Sequence, residues 1–132
     1  MGKFTPGRPN TRIIKATYDF AVDGGGVGNK NLSVSIPDNA IITGGYIDVE
    51  TDLASAGSAT VGVGLAGAYT AFKNAAAFTD YTANGSGLIL TNVAPPQTGV
   101  KTQGSILIGI VIGTAALTGG KMHIYVTYIA GA

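Results

Sequence analysis

Hydrophobic and polar residues alternate with a period of two along most of this chain. From Arg12 to Val22, the side chains of Ile14, Ala16, Tyr18, Phe20 and Val22 fall on one face, and Lys15, Thr17 and Asp19 on the other. Such alternation predicts a strand with one buried face. A shorter strand from Leu32 to Ile36 directs Leu32, Val34 and Ile36 inward, and Pro37-Asp38-Asn39 stops it with turn chemistry. From Ala40 to Thr51, Ile41, Ile47 and Val49 share one face and Tyr46, Asp48 and Glu50 the other. Gly44 and Gly45 interrupt that run, which predicts a bulge or sharp bend. Two more segments alternate cleanly. Ala59 to Leu65 places Ala59, Val61, Val63 and Leu65 inward with Thr60, Gly62 and Gly64 outward. Lys121 to Ala130 sets Met122, Ile124, Val126 and Tyr128 against His123, Tyr125 and Thr127.

The remaining segments follow other patterns. Gly104 to Thr114 contains ILIGIVIG, apolar on both faces, as expected of a central strand or of one packed against a neighbouring subunit. Its apolar part is far shorter than the roughly 20 residues a membrane-spanning helix needs. Residues 68–83 are rich in alanine and read as a long connection holding a short helix or strand, with Phe72, Ala76 and Phe78 as its apolar residues. Leu88 to Leu90 reads as a brief strand, and Asn92 to Gly99 as a loop. The glycine-rich stretch Gly24 to Lys30 lacks the spacing, the Gly-Lys-Ser/Thr ending and the following helix of a phosphate-binding loop, so it reads as a hairpin loop.

About seven or eight short strands with turn signals roughly every ten residues predict an all-β fold, an antiparallel β-sandwich or jelly-roll-like domain. Residues 12–132 form that domain. Residues 1–11, MGKFTPGRPNT, hold two prolines and no periodicity, and read as an extended N-terminal arm. The 132 residues suit one domain. No apolar signal segment follows Met1.

Composition narrows the chemistry. Only 11% of the residues are charged, about half the share in an ordinary soluble domain, so much of the surface must be neutral and suited to assembly. There is no cysteine, which removes disulfides, thiolate metal sites and cysteine nucleophiles. The one histidine, His123, lies on a strand and points to the surface or to a subunit contact. No serine sits in a nucleophile elbow. Asp48, Glu50 and Asp52 recur at period two, but a row of acids on a strand face is better suited to salt bridges than to metal binding or glycoside hydrolysis. The sequence therefore predicts no catalytic, metal or cofactor-binding residues and no enzymatic activity. Tyr46 and Tyr125 point outward, as interface residues or sugar platforms. Lys3, Arg8, Arg12 and Lys15 give residues 1–15 a charge of +4, while the remaining four lysines and seven acids give −3. Lys3, Phe4, Arg8, Arg12 and Lys15 are thus expected either to form an arm that docks on an acidic surface or to belong to a solvated terminus. Basic residues are too few and too confined for nucleic-acid binding.

Four segments carry a resemblance: ATYDFAVDGG (16–25), IPDNAIITGGYIDVET (36–51), SATVGVG (58–64) and TAALTGGKMHIYVTYI (114–129). Together they resemble a group of small β-sandwich proteins from phage and prophage structural modules. In that group a strand ending near YDF leads through a glycine-rich loop to IPDNAII.GGY.DV, and a TAALTAGK strand pair closes the domain. The likeness covers residues 12–130, and its motifs are strands and turns rather than catalytic signatures. It implies a bacteriophage virion protein at the capsid surface, a head decoration or cement protein that binds the major capsid protein, often as a homotrimer. In that setting the acidic surface is the capsid, and Tyr46, Ile108, Ile110, His123 and Tyr125 are expected at the subunit interface. The alternative is a tail or head-fibre component that binds host glycans. A small glycan-cleaving hydrolase is a third reading, for which the sequence offers no convergent acid pair.

Overall fold

The computed structural model describes residues 11–83, 88–93 and 100–130. Among them nine strands form two antiparallel sheets. The larger sheet has the order β1 (Thr11–Asp19), β9 (Leu117–Ala130), β3 (Ala40–Ser55), with β6 (Leu88–Ile89) and β7 (Val100–Lys101) both on the outer edge of β3. The smaller has the order β2 (Gly28–Ile36), β8 (Ile106–Gly113), β4 (Thr60–Leu65), β5 (Ala68–Ala77). The chain changes sheet at nearly every connection, and only β4 and β5 are sequential neighbours within the smaller one. The fold is the all-β antiparallel sandwich that the alternation predicts.

The core lies between the inward faces. Ala16 and Tyr18 of β1, Ile47 and Val49 of β3, and Met122, Ile124, Val126 and Tyr128 of β9 line one side. Leu32, Ile36, Val61, Val63, Leu65 and the β8 residues Ile108, Ile110 and Ile112 line the other. Each valine, leucine, isoleucine or methionine among them contributes about 1.5–3 kcal/mol by leaving water. The strand ILIGIVIG sits between β2 and β4, the central place that its two apolar faces predict.

Buried polar atoms find partners. The Tyr18 hydroxyl donates to the Gly24 carbonyl at 2.6 Å and the Tyr81 hydroxyl to that of Val61 at 2.7 Å. The buried Thr102 hydroxyl donates to the Pro37 carbonyl at 2.7 Å and accepts from the Ala40 amide at 2.9 Å, joining the turn before β3 to the chain after β7.

Four local expectations are corrected. β1 ends at Asp19, and Phe20–Asp23 forms a single helical turn, α1, so Val22 is exposed rather than inward. Asp19 Oδ1 accepts from the Ala21 amide and Asp23 Oδ2 from the Asp19 amide, each at 3.0 Å. This local capping outcompetes extension of the strand. Next, the glycine-rich stretch is not a hairpin loop, because β1 and β2 belong to different sheets. It carries the chain across the sandwich, with Gly24 at φ 76° ending the helical turn.

In β3, the register shifts between Ile42 and Gly44. The glycine pair does make the expected bulge, but the bulge turns Ile42 into the core and leaves Ile41 outside. A one-residue slip exchanges the faces. Finally, Gly62 and Gly64 do not face solvent, because β5 folds over them. Val63 pairs with Lys73 and Leu65 with Ala68, so β5 spends extra residues there. A Cβ on Gly64 would collide with the Ala68 carbonyl and the Ala71 amide. Residues 68–83 are thus mostly strand, followed by the 3₁₀ turn η1 (Phe78–Asp80), and Phe72 is wholly buried.

Candidate interface on the outer face of the larger sheet

Directly opposed residues of antiparallel strands project on one side of the sheet, so the register of β1, β9 and β3 defines the outer face row by row. Ile129 lies between Thr11 and Ile41, and Ile41 is followed by Lys101 on β7. Ile13 opposes Thr127. Tyr125 lies between Lys15 and Tyr46, and Tyr46 is followed by Ile89 on β6. His123 lies between Thr17 and Asp48. Six large hydrophobic side chains are exposed among the described residues, and four of them, Ile13, Ile41, Tyr46 and Ile89, share this face. Tyr46 is 59% exposed and Ile13 66%. Exposed apolar side chains scattered singly need no explanation, whereas four of the six on one sheet face make that face the candidate interface.

The polar end of the same face is organised by His123. Its Nε2 lies 2.8 Å from Glu50 Oε1, and its Nδ1 lies 2.9 Å from Thr17 Oγ1. A carboxylate only accepts, so Nε2 carries a proton; in the neutral ring Nδ1 then accepts from the threonine hydroxyl. Lys121 Nζ stands 3.6 Å from Glu50 Oε2. The hydrogen bond from His123, with the charge of Lys121 adding to it, holds the Glu50 carboxyl below its ordinary pKa. Asp48, on the same face, has no ion-pair or hydrogen-bond partner among the described residues. Asp52 departs from the other acids, since its Oδ1 accepts from the Ala83 amide at 2.6 Å.

Thr17, His123 and Glu50 resemble a nucleophile, base and acid relay, but the setting differs from that of a catalytic one. They stand on a sheet surface rather than in a cleft, Thr17 on β1, His123 on β9 and Glu50 on β3. The neighbouring depression, lined by Asp19, Phe20, Ala21, Thr51, Gly120 and Lys121, is roughly 230 Å³ and open. Sites for small molecules are larger and more enclosed. Among the described residues no group of three His, Cys, Asp or Glu side chains is placed to hold a metal ion, and no helix is long and apolar enough to cross a membrane.

The structure therefore brings together Tyr46, His123 and Tyr125, three of the five residues expected at a subunit interface. Ile108 and Ile110 are the exception. Both are wholly buried inside the domain, which corrects their assignment, because no side-chain surface is left for a neighbour. Of the expected docking residues, Lys15 lies beside Tyr125 on the same face and Arg12 is exposed near the start of β1. Lys3, Phe4 and Arg8 lie outside the described residues. Sequence reasoning missed Ile13, Ile41, Ile89 and Ile129. The parity of β1 signals Ile13 and that of β9 signals Ile129, whereas Ile41 was concealed by the bulge.

Fold and face together define an antiparallel sandwich whose larger sheet exposes isoleucines and tyrosines on its outer face. No family model matches the chain, and no curated protein matches it. Among solved structures it is similar to a chain of the cyanophage Pam1 capsid asymmetric unit, with a TM-score of 0.69 and 21% identity over 99% of this chain and 94% of that one. It is also similar to a chain of the acid-stable capsid of the Helicobacter pylori bacteriophage KHP30, with a TM-score of 0.64 and 15% identity over 92% of this chain and 89% of that one. At these identities the shared property is the fold, over nearly the full length of each chain.

Proposed function

We propose that this protein is a bacteriophage virion structural protein, a non-enzymatic head decoration or cement protein that binds the major capsid protein at the capsid surface, as a homotrimer. The observation that carries the reading is the near full-length match of fold to chains of two phage capsid structures. The outer face of the larger sheet supports it. A protein that stabilises a lattice works through contact area, and this face offers isoleucines and tyrosines within a rim of Lys15, Asp48, Glu50 and Lys101. Apolar centre and charged rim is the anatomy of a protein interface. Three-fold repetition would multiply modest contacts by avidity.

The test is to mix the purified protein with undecorated capsids and to measure occupancy and heat resistance. Saturable binding at symmetry-related positions with a rise in capsid melting temperature is expected. Absence of capsid binding, together with clear binding to a host polysaccharide, would overturn the reading in favour of a fibre component.

A further inference from the structure

Every acidic side chain of this protein lies within the described residues, so its charges can be matched one by one. Four of the seven acids accept backbone amides inside the fold: Asp19 from Ala21, Asp23 from Asp19, Asp38 from Gly104 and Asp52 from Ala83. Glu50 is held by His123 and Lys121. On the outer face of the larger sheet, Lys15 and Lys101 have no ion-pair or hydrogen-bond partner among the described residues. The rest of the chain holds no acidic side chain to supply one.

We propose that the isoleucine end of this face docks on an acidic surface of a second protein, apolar at its centre, whose carboxylates receive Lys15 and Lys101. The inference rests on the capsid-binding reading above and names the chemistry of the partner surface.

Three observations carry it. The first is where the charges stand. From the row of Lys101 to the row of Lys15 the face bears no acid. Asp48 and Glu50 lie beyond Tyr46, at the His123 end, and Lys121 there already faces Glu50. Arg12, exposed on the other side of β1, is a further cation without a partner among the described residues at the isoleucine end.

The second is separation. Lys15 on β1 and Lys101 on β7 are three strand spacings apart, and their rows, marked by Tyr125 and Ile129, are four residues apart. These offsets are about 14 Å and about 13 Å, so the two lysines bracket the apolar patch across a diagonal of about 19 Å. Charges at opposite corners of an apolar patch belong to the rim of an interface, where they orient and select the partner.

The third is the patch itself. Ile13, Ile41 and Ile89 are exposed and present only carbon. Such groups gain little from the hydroxyls of a glycan and bury well against the apolar centre of a protein surface.

The test uses the full chain bound to undecorated capsids. A carbodiimide joins a lysine amine to a carboxylate in direct contact, taking up the water released, and mass spectrometry maps the links. Links from Lys15 and Lys101 to aspartates or glutamates of the capsid protein are expected. None is expected from Lys30, which also lacks an acidic partner but lies on β2 of the other sheet. Lys15→Glu with Lys101→Glu should bind at least about tenfold more weakly at low salt, because like charges then meet. It should converge on the wild type near about 1 M salt, where the screening length is about 3 Å. Lys15→Arg with Lys101→Arg, and Lys30→Glu, should bind as the wild type does, and circular dichroism should show all of them folded. Normal binding by the doubly reversed variant, or links from other lysines only, would overturn the acidic partner and leave the decoration role standing. Links from Lys15 or Lys101 to Asp48 of a second copy would also overturn it, in favour of self-association. No occupancy by the wild-type chain would reject the decoration role and this partner together, and binding to phosphatidylserine vesicles instead would assign the face to an anionic membrane.

Discussion

Tyr46 and Tyr125 stand directly opposite each other on β3 and β9, on the solvent side of the larger sheet, with Lys15 beyond one ring and Ile89 beyond the other. Neither ring belongs to the core, so the pair tests the face without testing the fold. Tyr46→Asp should lower unfolding free energy by about 1–2 kcal/mol, through the lost cross-strand pair and the poor strand preference of aspartate, and leave the domain folded. Capsid occupancy should fall at least about tenfold, because a charge would be buried unpaired at the centre of the contact. Chemical denaturation and capsid sedimentation measure the two. Unaltered occupancy would remove this face from the interface.

Ile110 gives the opposite outcome. It is wholly buried in the central strand of the smaller sheet. Ile110→Asp should cost more than about 4 kcal/mol and leave no cooperative unfolding transition, since the carboxylate has no partner in an apolar core. Circular dichroism melting is sufficient to see it.

Gly64 and Gly26 make a matched pair. A Cβ at Gly64 would enter backbone atoms of Ala68 and Ala71, which cannot rotate aside as a side-chain end would, whereas one at Gly26 meets nothing within 4 Å. Gly64→Ala should therefore destabilise by about 3 kcal/mol, and Gly26→Ala by less than about 0.5 kcal/mol. Urea midpoints of the two variants should differ accordingly, without a change in slope.

These contrasts show what was legible in the sequence. Alternation alone places Tyr18, Ile47, Met122, Ile124 and Val126 in the core, because a strand has only two faces and one of them must be dry. What it could not yield were events that reset the alternation. The Gly44–Gly45 bulge exchanges Ile41 for Ile42, and the Asp19 cap turns a would-be strand residue, Val22, out to solvent. Gly62 and Gly64 lie beneath β5, a contact between segments that no local period encodes. His123 reads as a surface histidine, but its partners Thr17 and Glu50 lie 106 and 73 residues away. The interface was half legible for the same reason. Its tyrosines follow local parity, while its grouping with Ile89 and Ile41 depends on strand order.

Tyr81 and Tyr18 predict the behaviour of the fold in base. The Tyr81 hydroxyl is buried and donates to the Val61 carbonyl. Tyr81→Phe should cost about 1–2 kcal/mol at neutral pH, with the carbonyl left unsatisfied. Burial, reinforced by Asp80, pushes the Tyr81 phenol upward. Burial, reinforced by Asp23 and Asp19, pushes Tyr18 from the ordinary 10.0 up to about 12. A raised folded value means that the folded chain keeps these protons after the unfolded chain has lost them. The stability they protect is complete below pH 10 and drains away as pH rises through about 12. Unfolding free energy measured from pH 8 to 12 should therefore bend downward near 10, and Tyr81→Phe should flatten that bend while lying lower at pH 8.

Glu50 predicts the behaviour of the face in acid. Its carboxyl is held low first by the hydrogen bond from His123 and then by Lys121. A depressed folded value stabilises the fold above the ordinary carboxylate range and is lost as pH falls through the depressed one. Glu50 is exposed, so the effect on global stability is small, and the titration of the carboxyl itself is the better readout. Carbon-13 NMR should place the Glu50 midpoint below that of an ordinary glutamate. His123→Ala should return most of the shift, and Lys121→Ala a smaller part, because a directed bond at 2.8 Å outweighs a looser pair at 3.6 Å. The reverse order would mean that charge rather than the hydrogen bond sets the carboxylate. In that case the Thr17–His123–Glu50 chain would not be what organises the polar end of the face.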